Sequence, residues 1–361
     1  MKKNNYSSIE TIINVAKKGG MYILVDDEKR ENEGDLVMST SDTNAKNINF
    51  MAKYGRGLIC LALDSLQAKR LNLSLMSPVN QSRNQTAFTI SIEAKKGITT
   101  GISAKDRART IKIASKKNVS KKDIVSPGHV FPIIAKDGGV LVRAGHTEAS
   151  VDISKLAKKN NSAVICEIMN EDGTMARRDD LIAFAKTHKL KIGTIADLIH
   201  YRTLKEKTVE KLYSKTITID GMSFKLKAWE DSIFQNLHLT FEVGNIKKSD
   251  APLVRVHVPN VLHDMIGMDG FGKRMNIKEA LKKIHESECG VLLMIGTEQK
   301  NQSIMMDLEG KKNVPQPETK TVGIGSQILK ELGLTKIKLL ATPVKYPSIS
   351  GFDLEVIGFE K

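Results

Sequence analysis

The sequence predicts an α+β first domain, a mixed sheet flanked by helices, followed by a second, smaller α/β domain. Three observations carry that reading. At 361 residues the chain is long for one hydrophobic core, and two domains are the default. From residue 7 to about 203, short apolar runs alternate with amphipathic segments. The stretch Leu204-Lys205-Glu206-Lys207-Thr208-Val209-Glu210-Lys211-Leu212-Tyr213 is highly charged and makes the best junction, and the texture changes beyond it. The expected domains are 1–206 and 207–361.

The elements follow in order. Ser8 to Ala16 has helical spacing and ends at Gly19-Gly20, a plausible C-cap. Met21 to Val25 reads as a strand, as do the apolar runs Gly57–Leu63 and Ala163–Met169, with further strand candidates between Val125 and Val140. Met175 to Leu190 looks helical. A strand at Lys191–Ile195 and a helix at Ala196–Tyr201 follow. In the second domain, Thr216–Ile219 and Phe224–Trp229 form a hairpin around a tight Asp220-Gly221 turn. A helix at Ile277–His285, a strand at Val291–Ile295 and a helix at Ser326–Leu332 complete the pattern, and no internal repeat is apparent.

Composition excludes several classes. Forty per cent hydrophobic and 27% charged residues are ordinary for a globular protein, so disorder is not expected. No apolar stretch approaches a membrane span, and the basic N-terminus lacks the apolar core of a signal peptide. Cys60, Cys166 and Cys289 are widely spaced, as reduced thiols of a cytoplasmic protein would be. A net charge of +15 raises the question of nucleic acid. The lysines are scattered and aromatics to stack on bases are scarce, so a nucleic-acid partner is not expected.

Two segments carry the chemistry. The first is the acidic run from Asp26 to Asp35, with six carboxylates that repel one another unless a cation gathers them. Glu31, Glu33 and Asp35 alternate, so extended backbone places them on one side. The second runs from Pro127-Gly128-His129 to Arg143-Ala144-Gly145-His146-Thr147-Glu148. A hairpin turning at Asp137-Gly138 would set His129 opposite His146 on one face, with Pro132 at an edge. Arg143 and Thr147 supply the bidentate and hydroxyl donors that a phosphate prefers. Carboxylates with one imidazole suit Mg²⁺ or Mn²⁺, and the lack of thiolates argues against zinc. Glu167 interrupts an apolar run, where a charge is either a desolvated general base or half of a buried salt bridge.

Five segments in order resemble 3,4-dihydroxy-2-butanone 4-phosphate synthase over roughly residues 7 to 203: the acidic run, Thr99–Arg107, Pro127–Pro132, Arg143–Ala149 and Asp172–Arg177. The resemblance implies Mg²⁺-dependent conversion of ribulose 5-phosphate to formate and the four-carbon precursor of riboflavin, in a homodimer with active sites near the subunit interface. It implies that Glu31 and His146 bind metal. It places Arg30, Glu31, Asp35, Thr110, the segment Arg143-Ala144-Gly145-His146-Thr147 and Glu167 around the substrate, with His129, Glu167 and Glu33 catalytic. Asp26 and Cys60 are expected in the same pocket. Ala144 stands where the family usually has glycine, which is tolerable unless the backbone there needs a positive φ.

From about residue 210 the chain is similar to GTP cyclohydrolase II, through Ala251–His257, Gly290–Ile295 and Leu329–Gly333. That family's zinc needs a cysteine shortly after the histidine and a Cys-x-Cys pair about ten residues on. Here Val258-Pro259-Asn260 and the stretch Val261–Gly272 hold no cysteine, and Gly296–Asn301 replaces the arginine-containing nucleotide segment. The expectation is a domain without zinc that does not open GTP. The alternatives are a cyclohydrolase with unfamiliar ligands and a nucleotide- or RNA-binding regulatory module.

Overall fold

A computed structural model describes residues 6–28, 30–81, 84, 86–268, 275–296, 319–341 and 354–360. The chain forms two compact units, 1–202 and 203–361.

In the first unit, α1 (Ile9–Lys17) starts where the Ser8 hydroxyl accepts the Thr11 N–H, and it buries Ile9, Ile12, Ile13 and Ala16 at helical spacing. A sheet is built from β1 (Tyr22–Val25), β2 (Gly34–Ser39), β3 (Cys60–Leu63), β4 (Ile92–Ala94), β5 (Ile124–Ile134), β6 (Ser162–Glu167) and β7 (Lys191–Thr194). Its order is β4-β5-β3-β6-β2-β1-β7, with antiparallel and parallel pairs mixed. The helices that matter for the site are α2 (Ala45–Phe50), α3 (Ser65–Arg70), α4 (Ala104–Ala114), α5 (His146–Leu156), α6 (Arg178–Thr187) and α7 (Ile195–Lys205).

Strands β1, β2 and β3 are buried throughout, because helices cover both faces of the sheet. On one face Leu36, Met38, Leu61, Val164 and Cys166 pack with Ala108 and Ile111 of α4. On the other, Leu24, Val37, Cys60 and Ile165 pack with Ala149 and Ile153 of α5. Side chains alternate along a strand, so Asp35 and Glu167 share the α5 face with Val37 and Ile165.

The hairpin expected between His129 and His146 does not form. Strand β5 pairs with β3 and β4, Pro132 lies level with Leu61 inside the sheet, and its carbonyl accepts the Thr89 N–H. Gly138 and Gly139 both take positive φ, which turns the chain out of the sheet through a 3-10 turn at Gly139–Leu141. The next residues then bury Ala149 and Ile153 at helical spacing, so His146 opens a helix instead of a returning strand. Helix α6 starts later than expected because Met175 bridges Met169 and the Ala176 N–H reaches the Ile168 carbonyl.

The second unit contains β8 (Val209–Ile219), β9 (Met222–Asp231), β10 (Leu237–Val243), β11 (Leu253–His257), α8 (Ile277–Glu286), β12 (Gly290–Met294), α9 (Thr319–Glu331), β13 (Lys336–Leu340) and β14 (Glu355–Glu360). Its mixed sheet runs β14-β13-β11-β12-β10-β9-β8. The expected hairpin is present: Ile219 pairs with Met222, and Asp220 and Gly221 both have positive φ, as a type I′ turn requires. Thr297–Asn301, all but the first residue of the segment read against the nucleotide-binding motif, lie outside the described residues.

Candidate active site

The acidic run is the connection between β1 and β2, and Asp26 organises it. Its buried carboxylate accepts the Glu31 N–H at 3.1 Å, the Glu33 N–H at 2.8 Å and Arg30 Nη1 at 2.8 Å. Asp27 and Glu28 are exposed, so internal donors and solvent relieve part of the repulsion that the sequence assigned to a cation. Asn32 has φ +55°, which breaks the extended backbone expected across Glu31, Glu33 and Asp35. Even so, Glu31 and Asp35 converge on one imidazole.

That imidazole is His146, the first residue of α5 and 7% exposed. Its Nδ1 stands 3.8 Å from Glu31 Oε2 and 3.9 Å from Asp35 Oδ1, ion-pair separations too long for direct hydrogen bonds. His146 Nε2 and Asp35 Oδ1 are buried with no hydrogen-bond partner among the described residues. Asp26, Glu31 and His146 offer ligand atoms all within 4.8 Å of one another. Two oxygens, one nitrogen and orphaned buried atoms beside them fit a hard divalent cation.

The electrostatics agree. The His146 contact and Arg30 hold Glu31 down at about 2. Burial pushes Asp35 up, helped by Glu167 and Glu31. Burial also raises Glu33, with the Glu31 and Glu167 charges adding to it. For His146, burial opposes the charge, but Asp35, Glu31 and Asp26 outweigh it and lift the imidazole to about 9. Carboxylates a few residues apart are thus driven in opposite directions, the pattern of acid–base sites.

Glu167 ends β6 level with Asp35 of β2. Its Oε2 accepts the Leu58 N–H at 2.8 Å, and the group is neither fully buried nor ion-paired among the described residues. The backbone at Gly57 comes so close that a Cβ would lie 2.6 Å from that oxygen. Cys60 lies on the same face, and burial with the Glu167 and Asp35 charges raises its thiol.

Arg143 is more constrained than its sequence context implied. Nη1 bonds Glu148 Oε2 at 2.7 Å, and Nη2 reaches the Asn84 carbonyl and the Thr86 hydroxyl, each at 3.2 Å. Gly145 is the N-cap of α5, Thr147 is buried in its first turn, and Ala144 is exposed. Ala144 is absent from the positive-φ residues, so its methyl group meets no backbone strain.

Two expected members lie apart. The Thr110 hydroxyl, in α4 on the opposite face of the sheet, accepts the Ala94 N–H. His129 in β5 is half exposed and its Nδ1 hydrogen-bonds the Glu93 carboxylate, with no hydrogen bond or ion pair to the His146 group among the described residues.

Two residues were missed. Asn84 donates its amide to Glu31 Oε1, and nothing in its polar neighbourhood marked it. Arg177 donates one Nη1 to the carbonyls of Glu31 at 2.7 Å and Asn32 at 2.6 Å, clamping the loop from outside. Its place in the Asp172–Arg177 motif was the available signal. Arg177→Ala is expected to weaken Mn²⁺ affinity about 10- to 100-fold and speed amide exchange over residues 27–33. Electron paramagnetic resonance titration and exchange mass spectrometry read the two effects; unchanged values would remove the clamp from the site.

In the second unit, His257 ends β11 at the position read against the zinc approach. Its Nε2 pairs with Asp264 Oδ2 at 3.0 Å, and Asp264 also accepts the N–H groups of Asn260 and Ile277. Cys289 packs against the hydrophobic cluster of this unit.

Comparison with known proteins places both units. Residues 10–201 match the 3,4-dihydroxy-2-butanone 4-phosphate synthase family and residues 210–361 the GTP cyclohydrolase II family. The chain is 44% identical to the 3,4-dihydroxy-2-butanone 4-phosphate synthase of Pseudomonas aeruginosa, covering 98% of each chain. It is 43% identical to the riboflavin biosynthesis protein RibBA of Aquifex aeolicus, over 98% of this chain and 91% of that one. A crystal structure of RibBX, a two-domain 3,4-dihydroxy-2-butanone 4-phosphate synthase from A. baumannii, superposes with TM-score 0.81 at 40% identity, over 98% of this chain and 100% of that one. A synthase structure in complex with two magnesium ions aligns with TM-score 0.53 at 35% identity, over 55% of this chain and 98% of that one.

Proposed function

Because the chain belongs to the 3,4-dihydroxy-2-butanone 4-phosphate synthase family of lyases, we propose that it converts D-ribulose 5-phosphate to 3,4-dihydroxy-2-butanone 4-phosphate and formate in riboflavin biosynthesis. The observation that carries the reading is the buried His146, with Glu31 and Asp35 at 3.8 and 3.9 Å and unpartnered polar atoms beside them. Glu31 and His146 would hold Mg²⁺ or Mn²⁺, with Asp26 within reach. A cation there supplies positive charge against the negative charge that builds on sugar oxygens during enolisation.

The chain's own residues do the rest. Arg143, Thr147 and the first N–H groups of α5 receive the phosphate, the role a helix N-terminus suits. Glu167 takes the proton next to the ketone, its carboxylate aimed by the Leu58 N–H. Asp35, kept protonated more readily by burial, supplies a proton to a departing hydroxyl, and Glu33 stands beside it as a further relay. Arg30 steadies Asp26 and Glu31. His129 belongs to the reaction only through assembly: in a homodimer with its interface across this site, a second copy brings its exposed imidazole to the substrate.

The second domain is read as silent toward GTP. Its lone cysteine sits among apolar side chains, and the imidazole at the zinc approach is engaged by Asp264. Three widely spaced cysteines suit a cytoplasmic setting, and no helix among the described residues is long and apolar enough to cross a membrane. Purified protein is expected to release formate from ribulose 5-phosphate with Mg²⁺, to leave GTP intact and to hold no stoichiometric zinc. No formate from folded, metal-supplied protein would overturn the lyase reading; GTP turnover lost on chelation would overturn the silent domain.

A further inference from the structure

At the end of the first-domain sheet away from Glu167 lies a cavity of about 400 Å³. Strand β3 runs from Cys60 beside the candidate active site to Leu63, and β6 runs from Ser162 to Glu167. Asp64 and Ser162, at the far ends of these neighbouring strands, both line the cavity. Three cations, Arg70, Lys117 and Lys159, line it with one carboxylate, Asp64.

The simplest account of such lysines is that they face the negative ends of α4 and α5. At the α4 end the hydrogen bonds show that this role is already filled. Gln67 Nε2 donates to the carbonyls of Ala114 at 2.6 Å and Lys116 at 2.9 Å, and Asn160 Nδ2 donates to that of Ser115 at 3.2 Å. Asp64 is equally engaged, accepting the Gln67 N–H at 2.8 Å and Asn161 Nδ2 at 2.9 Å. Lys159 is held by Asp42 at 3.1 Å. Arg70 spends one nitrogen on Gln67 Oε1 at 3.1 Å, and Lys117 has no ion pair or hydrogen bond among the described residues. The walls are therefore satisfied while positive charge remains unspent.

We propose that this cavity is a binding site, distinct from the active site, for the phosphate group of a small anionic metabolite. The Arg70 fork and the Lys117 ammonium would hold the phosphate oxygens, and Leu66, 59% exposed on the rim, would face any carbon portion. A concave volume of this size suits a small molecule, not a polymer backbone, which tracks an open stripe of charge.

The test is calorimetric titration of the full chain, at constant ionic strength, with inorganic phosphate and with glycerol 3-phosphate. Saturable binding that weakens at least about tenfold in Arg70→Glu/Lys117→Glu, with turnover retained, is expected. Tighter binding of the ester would assign the site to phosphate esters, and equal binding to free phosphate. Arg70→Gln/Lys117→Gln serves if charge reversal prevents folding. Binding unchanged in the folded variants, or no saturable binding beyond the active site, overturns the proposal.

Discussion

Glu167→Gln is expected to lower turnover about 10²- to 10⁴-fold, the usual range for removing a general base, without unfolding the protein. The change is nearly isosteric, and the amide oxygen can still accept the Leu58 N–H that orients the carboxylate at 2.8 Å. What disappears is the capacity to take a proton. Exchange of the substrate proton with deuterated solvent should fall with formate release, because both follow enolisation. Gly57→Ala makes a useful partner. Its Cβ would come within 2.5 Å of the Glu167 carbonyl oxygen and 2.6 Å of Oε2, so the end of β6 and the carboxylate must both shift while the carboxylate's chemistry is kept. An intermediate loss is expected there, as a misplaced base predicts. Glu167→Gln retaining turnover within about threefold of the parent would sink the assignment.

Much of this site was legible because its residues lie in short, chemically dense segments. The charge run at Asp26–Asp35 and the interrupted apolar run at Glu167 point to residues that the fold brings together, and alternation along β2 and β6 puts Asp35 and Glu167 on one face. The failures have a common physical source. Pairing His129 with His146 across a hairpin assumed that one glycine at the turn meant one reversal. The second left-handed glycine, Gly139, sends the chain off the sheet, and Ala149 with Ile153 pays back the burial as a helix. Periodicity over so few residues does not separate those outcomes. Arg177 and Asn84 were missed because backbone carbonyls and a single amide carry no sequence pattern.

The second domain was legible in a different way. Its Asp220-Gly221 turn needs two positive φ values, which leaves few sequences to choose from, and the hairpin could be read directly. By contrast, the His257–Asp264 pair depends on how the segment after β11 folds back, and seven residues of separation say nothing of that.

His146→Ala and Glu31→Gln should each abolish stoichiometric Mn²⁺ binding and reduce turnover by at least about a thousandfold, since each removes a ligand and not merely its support. The pH dependence gives a second reading of the same assignment. In metal-free protein the His146 imidazole is held protonated up to about 9, so a cation must displace that proton. Metal affinity is therefore expected to rise about tenfold per pH unit from pH 7 toward 9 and then level off. Stability of the metal-free chain should move the other way. A histidine whose folded value lies above its unfolded one binds extra protons in the fold, so its contribution is full below about 6.5 and is lost as pH rises through about 9. Glu31, depressed to about 2, contributes above its unfolded value and is lost only as pH falls toward 2. Added Mg²⁺ should flatten the alkaline decline in the parent and leave His146→Ala unaffected. Thermal melts from pH 6 to 9.5, with and without Mg²⁺, measure both slopes. A His146→Ala protein that keeps its Mn²⁺ affinity, or a parent whose affinity ignores pH across that range, would mean that the imidazole is not a ligand.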